Sequence, residues 1–472
     1  MNRIIILLIA FILFCENTKA QTSNSEAENL VKTLVEKYMD LGGTPPGISI
    51  AISKNNEISF AKGFGYADLK KNKPVTIETQ FRTASVAKLI TATALARLIQ
   101  ENKIEINKPI SIYSKSVPKE YSKITSKQLA GHIGGVTHYS NEQQVENRFY
   151  SSVDDALSVF IHIKLLFEPG TKYQYSSYGY VLLSKVIESA SEKPFLDYLN
   201  QEIFSPLNMT FTGPELKSIP SSYMAELYDI NDEGINKGYP SSINEKEDLS
   251  YKWAGGGFNS TPTDLIKLAN SYTNGFFRED VVKLMFESLK LKSGVETGVG
   301  LGWRGSYDMA NRKVFEHAGY MRGTRSVLSI FPEEKVSIAM MMNSPNLNRI
   351  EESAHMLALP YLTSPSPTKQ PIGVGQLSVE IIDYDGKTTT EEATLVLNGE
   401  TDRLIIGNQE IYQLVYMQRD NIYALIHRDG ILYTEINIEN ESVNGKVMRY
   451  KSPLLLSPNL DKPFIKLSGE WN

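Results

Sequence analysis

A serine and a lysine three residues apart form the pair with the clearest chemical potential in this chain. Ser85 and Lys88 stand where an apolar segment with helical periodicity begins, and positions i and i+3 of a helix lie on the same face. A serine hydroxyl becomes a nucleophile when a neighbouring base takes its proton, and a desolvated lysine can act as that base. The pair predicts nucleophilic catalysis at Ser85. The alternative is a structural cap, with Ser85 at the helix N-cap and Lys88 solvated.

The same spacing occurs at three other places, Ser59/Lys62, Ser116/Lys119 and Ser366/Lys369. Ser59 lies in a predicted strand, where residues i and i+3 point to opposite faces. Pro118 and Pro367 interrupt any helix through the other two pairs. Ser85 therefore keeps the geometry that the chemistry needs, and the other serines do not.

Two downstream segments carry further groups of the same chemistry. Tyr175-Ser176-Ser177 lies in the first, and His317-Ala318-Gly319 precedes a predicted strand. In this order, the two segments and the Ser85/Lys88 pair resemble the motifs of the serine β-lactamase-related family, of the class C β-lactamase and penicillin-binding-protein type. The segments 250–258 and 175–180 are also similar to the mitochondrial serine β-lactamase-like branch of that family. The resemblance covers about residues 25 to 360.

The resemblance implies both a fold and a set of roles. The fold is α+β and β-lactamase/transpeptidase-like: an antiparallel sheet flanked by helices, beside a mostly helical subdomain, with the site in the cleft between them. Ser85 attacks a carbonyl, Lys88 accepts its proton, and Tyr175 passes protons to the leaving group and from the deacylating water. A phenol needs an adjacent positive charge such as Lys88 to do this near neutral pH.

The resemblance also implies how the substrate is held. The backbone N–H groups of Ser85 and Tyr320 form the oxyanion hole, while Ser177, His317 and Gly319 belong to the substrate-binding wall. Ser177 stands where many relatives have asparagine, and His317 where β-lactamases and transpeptidases more often have lysine. Each departure weakens the interpretation as a dedicated β-lactamase.

Three functions follow from these residues. The first is a serine hydrolase that cleaves an amide or ester through an acyl-serine, as a peptidase or esterase. The second is a β-lactamase, or a D-amino-acid-specific peptidase or penicillin-binding protein. The third is a non-catalytic structural or assembly role of the same fold. The presence of Ser85, Lys88 and Tyr175 together favours an enzyme.

Periodicity along the chain predicts the elements that position these residues. We expect helices at Glu26–Leu41 and Leu89–Ile99, a β-hairpin around Asn55-Asn56, and late strands at Arg325–Phe331 and Val336–Met342. Strands near both ends of a helical middle indicate a sheet closed by distant parts of the chain. We assign residues 21–362 to this catalytic domain.

A different pattern follows a proline-rich linker at residues 363–375. From residue 376 to 472, short apolar segments alternate with turn signals such as Asp385-Gly386 and Asn398-Gly399. This predicts a small all-β C-terminal domain, a sandwich or barrel of roughly six strands or more. It can restrict the cleft, bind a partner or stabilise the chain, and the sequence does not choose among these.

The first residues have the features of an export signal. An apolar run, Ile4–Phe14, precedes small residues up to Ala20, which predicts a signal peptide at residues 1–20 and a periplasmic or extracellular protein. An uncleaved anchor, lipidation at Cys15 and a transit peptide are the less favoured alternatives. Cys15 is the only cysteine, so the mature chain has no disulfide or thiolate chemistry.

The net charge and the spacing of the histidines limit the classes of ligand and partner that the chain is expected to bind. The formal net charge is −5 without a dense basic cluster, which argues against nucleic acid binding. The histidines other than His317 show no metal-ligand spacing and fit ordinary surface or core positions, so we expect no metal and no cofactor. The expected partner is a small-molecule or peptide substrate, with no stable membrane insertion after signal cleavage. Gly255-Gly256-Gly257 lacks the lysine of a phosphate loop and predicts a tight turn beside the cleft.

A charge for a substrate carboxylate remains to be found if His317 is neutral, as its usual pKa implies. Arg322, five residues after His317, is one candidate. The alternative is that Arg322 is an ordinary solvated loop residue.

Overall fold

The computed structural model describes residues 25–115, 117–139, 145–218, 221–229, 241–243, 246–363, 366, 368, 370–383, 385–407, 410–448 and 463–472. The predicted signal peptide at residues 1–20 lies outside them. Within these ranges, no helix is both long and apolar enough to cross a membrane.

The chain forms two compact units. Of the described residues, the large unit contains those within 42–354, and the barrel unit contains residues 25–41 together with those within 355–448 and 463–472. This grouping joins the first helix to the C-terminal strands. The domain limits given by the sequence, 21–362 and 376–472, remain predictions.

A seven-stranded antiparallel sheet, in the order β3-β2-β1-β12-β11-β10-β9, is the centre of the large unit. Its strands are β1 (Gly47–Lys54), β2 (Glu57–Asp68), β3 (Lys73–Pro74), β9 (Arg304–Tyr307), β10 (Lys313–Met321), β11 (Thr324–Phe331) and β12 (Val336–Met342). The short strands β4 (Phe81–Arg82), β5 (Gly213–Pro214), β6 (Tyr228–Asp229), β7 (Ser241–Ser242) and β8 (Phe258–Ser260) form two small sheets.

The predicted hairpin and the predicted closure of the sheet are both confirmed. Asn55 and Asn56 have φ angles of 53° and 67°, the left-handed pair that a two-residue hairpin turn requires. Strand β1 then pairs with β12, Ile48 opposite Met342. Distant parts of the chain thus complete one sheet.

Of the described α-helices, all but the first and the last lie wholly within the large unit. The helices of the described residues are α1 (25–39), α2 (Ala87–Gln100), α3 (Ser126–Ala130), α4 (Val153–Leu157), α5 (Ser177–Ser191), α6 (Phe195–Leu199), α7 (Trp253–Gly256), α8 (Pro262–Asn270), α9 (Glu279–Phe286) and α10 (Ile350–Leu362). Helix α2 is buried on nearly every side, since eleven of its residues are buried and eight of these are apolar. Such a helix forms in the middle of a core, which holds its first turn in place.

The C-terminal strands form a closed barrel, which confirms the all-β prediction and replaces the sandwich alternative. The strands are β13 (Gly373–Ile382), β14 (Thr388–Leu397), β15 (Arg403–Ile406), β16 (Glu410–Tyr416), β17 (Ile422–His427), β18 (Gly430–Glu439), β19 (Ser442–Met448) and β20 (Pro463–Trp471). The last strand pairs with the first, Trp471 opposite Gly375, so the barrel has no free edge. Strand β13 begins at Gly373, inside the predicted linker.

Candidate active site

Ser85 lies in a short turn of 3₁₀ helix, Ala84–Val86, that leads into α2. Ala84 has a φ of 43°, a left-handed conformation that costs a residue with a Cβ atom on the order of 1–3 kcal/mol. Such strain persists only where the surroundings hold it and is concentrated at functional sites. The turn presents the Ser85 hydroxyl toward Lys88 and Tyr175.

Contacts from two neighbouring strands hold this strained turn. The Thr83 N–H and hydroxyl both donate to the Phe258 carbonyl at 2.8 Å, and the Ser326 hydroxyl donates to the Thr83 carbonyl at 2.6 Å. A Cβ atom on Gly319 would lie 2.5 Å from the Thr83 oxygen. Gly319 therefore allows β10 to approach the turn, and it supports the wall of the site.

Lys88 is fully buried one helical turn after Ser85. Its Nζ lies 3.1 Å from Ser85 Oγ, 3.0 Å from Ser177 Oγ and 2.6 Å from the Gly255 carbonyl oxygen. Burial lowers the pKa of Lys88 well below its ordinary value, and the positive charges of Arg304 and Lys252 lower it further. These contacts exclude the alternative in which Ser85 only caps the helix and Lys88 is solvated.

The three contacts of Lys88 can accept the three N–H groups of an ammonium, and they also fit the neutral amine that its lowered pKa favours. A neutral amine has two N–H donors and one lone pair. Gly255 and Ser177 can accept the two N–H groups, which leaves the lone pair for the Ser85 proton. The predicted glycine turn is in fact the end of helix α7, where a Cβ atom on Gly255 would lie 2.8 Å from the Ser177 carbonyl oxygen. The absence of a side chain at Gly255 allows its carbonyl to reach Lys88.

Tyr175 is the second group on the nucleophile. Its hydroxyl donates to Ser85 Oγ at 2.8 Å. Burial raises the pKa of Tyr175, whereas the charge of Arg304 and the hydrogen bond to Ser85 lower it. The guanidinium carbon of Arg304 lies 5.5 Å from the ring centroid of Tyr175. Arg304 thus places a positive charge beside the phenol, a role for which the sequence suggested Lys88.

Ser177 begins helix α5 and faces Lys88. The preceding Ser176 caps this helix, since its hydroxyl accepts from the Gly179 N–H at 2.9 Å. The Ser177 N–H donates to Nδ1 of His138 at 3.2 Å. The side chain of Ser177 is thereby fixed beside the Lys88 amine.

Two histidines that the sequence assigned to ordinary positions lie beside Tyr175. The ring of His132 is 4.5 Å from the Tyr175 ring, between centroids, and its Nδ1 accepts from the Ser176 N–H at 3.1 Å. Burial lowers the pKa of His132 well below its ordinary value and that of His138 to about 4. Both rings are neutral near pH 7 and hold the backbone of the tyrosine motif as acceptors.

His317 is buried behind Tyr175, with ring centroids 6.1 Å apart. Its Nδ1 lies 2.7 Å from the Ala318 carbonyl oxygen, so Nδ1 carries the proton. Burial lowers the pKa of His317 well below its ordinary value. His317 and Gly319, which the sequence placed among substrate contacts, thus lie under the cleft wall. Neither contributes a positive charge to it.

The cleft above these residues holds about 620 Å³ of open space. Of the predicted site residues, Ser85, Tyr175, Ser177 and Tyr320 line it. Tyr320 lies at its mouth with 66% of its surface exposed. The lining also includes residues that sequence reasoning missed, namely His138, Lys252, Arg304, Arg325 and Glu351.

Arg322 does not line the cleft. Its Nε donates to Asp229 Oδ2 at 3.1 Å, and its side chain is about half exposed. The positive charges at the cleft come from Lys252, Arg304 and Arg325 instead. Lys252 lies in the segment 250–258, from which the sequence assigned it no role, and no motif surrounds Arg304 or Arg325. Among the described residues, no group of three or more histidine, cysteine or acidic side chains is arranged to hold a metal ion.

The fold and the Ser85, Lys88 and Tyr175 geometry define the class of β-lactamases and penicillin-binding proteins. The chain belongs to the β-lactamase family, because the family model described as Beta-lactamase matches residues 31–362. The family predicted from the three motifs is confirmed.

Individual relatives agree with this family. The human serine beta-lactamase-like protein LACTB, mitochondrial, is 27% identical over 401 residues, which cover 64% of this chain and 72% of the human protein. The mouse protein of the same name is 27% identical over 425 residues, or 68% of this chain and 75% of that protein.

Solved structures show the same fold. The octameric penicillin-binding protein homologue from Pyrococcus abyssi superposes with a TM-score of 0.59 at 20% identity, and covers 93% of this chain and 99% of that one. The D-amino acid amidase from Ochrobactrum anthropi SV3, in complex with D-phenylalanine, has a TM-score of 0.57 at 22% identity and covers 68% and 92%.

Proposed function

We propose that this protein is a serine hydrolase that cleaves an amide or ester through a covalent acyl-serine. The observation that carries the proposal is the position of Ser85 Oγ, 3.1 Å from the Lys88 amine and 2.8 Å from the Tyr175 hydroxyl. One neighbour can take the proton of the nucleophile, and the other can return a proton to the leaving group.

Acylation begins when a substrate carbonyl enters the cleft next to Ser85. The Ser85 proton moves to the Lys88 amine while the bond between Oγ and the carbonyl carbon forms. The developing oxyanion is held by the backbone N–H groups of Ser85 and Tyr320, and such donors contribute roughly a hundred- to a thousandfold in rate. The bond to the leaving group then breaks as that group takes a proton from Tyr175, which Lys88 reprotonates.

Deacylation repeats these transfers with water. Tyr175 passes its proton to the neutral Lys88 amine as it takes one from the water, whose oxygen attacks the acyl carbon. The intermediate then releases Ser85, whose oxygen takes the proton back from Lys88. The buried Lys88 amine serves best as an acceptor when it is neutral, which its lowered pKa permits near pH 7. Arg304 stabilises the phenolate that forms transiently at Tyr175.

The substrate is a peptide amide or a simple ester rather than a β-lactam. The neutral, buried His317 provides no charge for a carboxylate at the lysine position of β-lactamases. The hydroxyl of Ser177 is shorter than an asparagine amide and is occupied by Lys88. Structural similarity to a D-amino acid amidase favours amino-acid amides, so a D-amino-acid-specific peptidase is the second candidate.

We place the enzyme in the periplasm or outside the cell, because residues 4–14 are apolar and are followed by small residues before a cleavage position. Its partner is a small-molecule or peptide substrate.

Labelling with a fluorophosphonate or a fluorescent penicillin, followed by mass mapping, tests this function. We expect modification of Ser85, and we expect Ser85→Ala to lose both labelling and turnover by about 10⁴-fold or more. Ser59→Ala is the matched control, because Ser59 shares the Ser-x-x-Lys spacing but lies on strand β2. Labelling of Ser366, or unchanged labelling of Ser85→Ala, would overturn the assignment.

A further inference from the structure

An acidic side chain lies in the same cleft without a partner among the described residues. Glu351 stands in the first turn of helix α10 and lines the cleft. Its carboxylate makes neither a hydrogen bond nor an ion pair with any other described residue. The adjacent Glu352 differs, since it pairs with Arg349 at 3.4 Å.

The cation with the strongest electrostatic effect on Glu351 makes its hydrogen bonds to other groups. Arg325 exerts the largest attractive effect on Glu351, yet its Nε donates to the Leu347 carbonyl at 3.0 Å and its Nη2 donates to the Asn348 carbonyl at 2.9 Å. Its guanidinium also lies over the Tyr320 ring, at 5.5 Å from the centroid. These contacts hold Arg325 against the loop and the ring instead of against Glu351.

The negative charge of Glu351 is therefore not compensated by an ion pair with a described cation. Burial raises the pKa of its carboxyl group, which means that the charged form is poorly solvated in the empty cleft. A carboxylate in this condition is stabilised by an N–H donor that carries a positive charge. The other charges on the cleft wall, Lys252, Arg304 and Arg325, are positive and point to neutral or anionic groups elsewhere on the ligand.

We propose that Glu351 binds a free ammonium group of the substrate, so that the preferred acyl donors are amino-acid amides or esters with an unblocked amine. This rests on the proposed hydrolase function of the same cleft. Glu351 is then a residue that determines specificity. It takes no part in the proton transfers at Ser85.

The test compares two substrates that differ only in the amine. Alanine p-nitroanilide and N-acetylalanine p-nitroanilide, each as D and L forms, are assayed with the wild-type protein, Glu351→Gln and Glu352→Gln. We expect the wild type to favour the unblocked substrate by about tenfold in kcat/KM, the ratio for a partly desolvated ion pair. In Glu351→Gln the ratio falls close to one, and in Glu352→Gln it stays at the wild-type value.

A purely structural role of Glu351 at the helix N-terminus would change the thermal stability but not this ratio. An unchanged ratio in Glu351→Gln, or an equal loss in Glu352→Gln, overturns the proposal. Glu351→Asp, which keeps the charge, should recover part of the preference.

Binding to Ser85→Ala separates this proposal from the hydrolase function. Calorimetry with alanine amide and N-acetylalanine amide measures the amine preference without turnover. Preference for the free amine that depends on Glu351, with no turnover by the wild type, would reject the hydrolase and retain the ammonium site. Turnover of both substrates without an amine preference would do the reverse. If the protein shows no turnover and no amine-dependent binding, both proposals are rejected.

Discussion

The large unit buries charged and titratable groups, whereas the interior of the barrel is apolar. Lys88, His317 and Glu316 are each no more than 1% exposed, while Thr434 is the one buried polar residue in the described barrel strands. Burying a polar group costs free energy unless partners compensate for it. Glu316 has such partners, since the hydroxyls of Ser306 and Ser329 donate to it at 2.6 and 2.7 Å.

This difference separates the two tasks of the chain. In the barrel, apolar side chains such as Leu425 and Val379 are completely buried, and each contributes about 1.5–3 kcal/mol through burial. Around Ser85, the buried Lys88 amine and the strained backbone at Ala84 each lower the stability of the fold. Substitutions in the two regions should therefore affect activity and stability in opposite ways.

Lys88→Met should give the largest separation of the two effects. Loss of the base should slow acylation by roughly 10²- to 10⁴-fold. At the same time, the folded protein should become more stable at pH 7, because a buried neutral lysine must lose its proton on folding while the unfolded chain keeps it. Thermal unfolding and fluorophosphonate labelling rates measure both effects.

The stability gain of Lys88→Met should depend on pH. The folded pKa of Lys88 is below the unfolded value near 10.5, so folding becomes more favourable as the pH rises toward 10.5 and the advantage of the methionine shrinks. Lys62→Met, in the second Ser-x-x-Lys match, is the control and should not slow labelling. A Lys88→Met protein that is less stable at pH 7 and more stable at pH 10 would contradict the neutral amine.

Leu425→Ala in the barrel should do the opposite. It removes a completely buried side chain and should lower the free energy of unfolding by about 2–5 kcal/mol. Turnover per folded molecule, measured by active-site titration, should stay within about twofold because no reacting group lies in the barrel interior. Loss of turnover at full folding would show that the barrel takes part in the chemistry.

Arg304→Ala should weaken the binding of substrates with a free carboxylate. The guanidinium lines the cleft beside Tyr175, and its removal should raise KM about tenfold for such substrates and less for their neutral esters. Arg322→Ala is the matched control, since Arg322 pairs with Asp229 outside the cleft lining. Equal effects of the two substitutions would assign the carboxylate to another group.

Ser177→Asn should have the smallest effect, and one confined to substrate choice. An asparagine amide both donates and accepts, and reaches farther than a hydroxyl, so activity on amide-bearing acyl donors should rise a few-fold relative to simple esters. The measurement is kcat/KM for nitrocefin, a p-nitrophenyl ester and a short peptide amide, compared between the wild type and Ser177→Asn. Wild-type turnover of nitrocefin above the other two would restore the β-lactamase interpretation.

The local patterns of the sequence are sufficient for the reacting groups and much of the fold. The Ser85/Lys88 pair, the hairpin at Asn55-Asn56 and the alternating C-terminal strands each depend on neighbours within a few residues. Short-range spacing therefore predicts these features. It does not predict the closure of the barrel, because Gly375 and Trp471 pair across almost the whole C-terminal region.

The charges of the cleft could not be predicted for the same reason. Lys252 precedes α7 in the segment 250–258, where the resemblance gave it no role, and Arg304 on β9 and Glu351 on α10 belong to no motif. Arg322 is the counterexample, since nearness to His317 in the chain suggested a cleft residue, and its ion pair with Asp229 holds it elsewhere. Position within a motif and position within a site are set by different contacts.

The pairing of β1 with β12 also affects how the chain can be made. Met342 is synthesised about 300 residues after its partner Ile48, so at ribosomal speed β1 waits on the order of 15–60 s for that neighbour. During this time a strand that is almost entirely buried in the finished sheet has one open edge, which is a template for association with other chains. We expect shortened chains that end before β10 to aggregate, and the emerging polypeptide to need a holding chaperone until the sheet is complete.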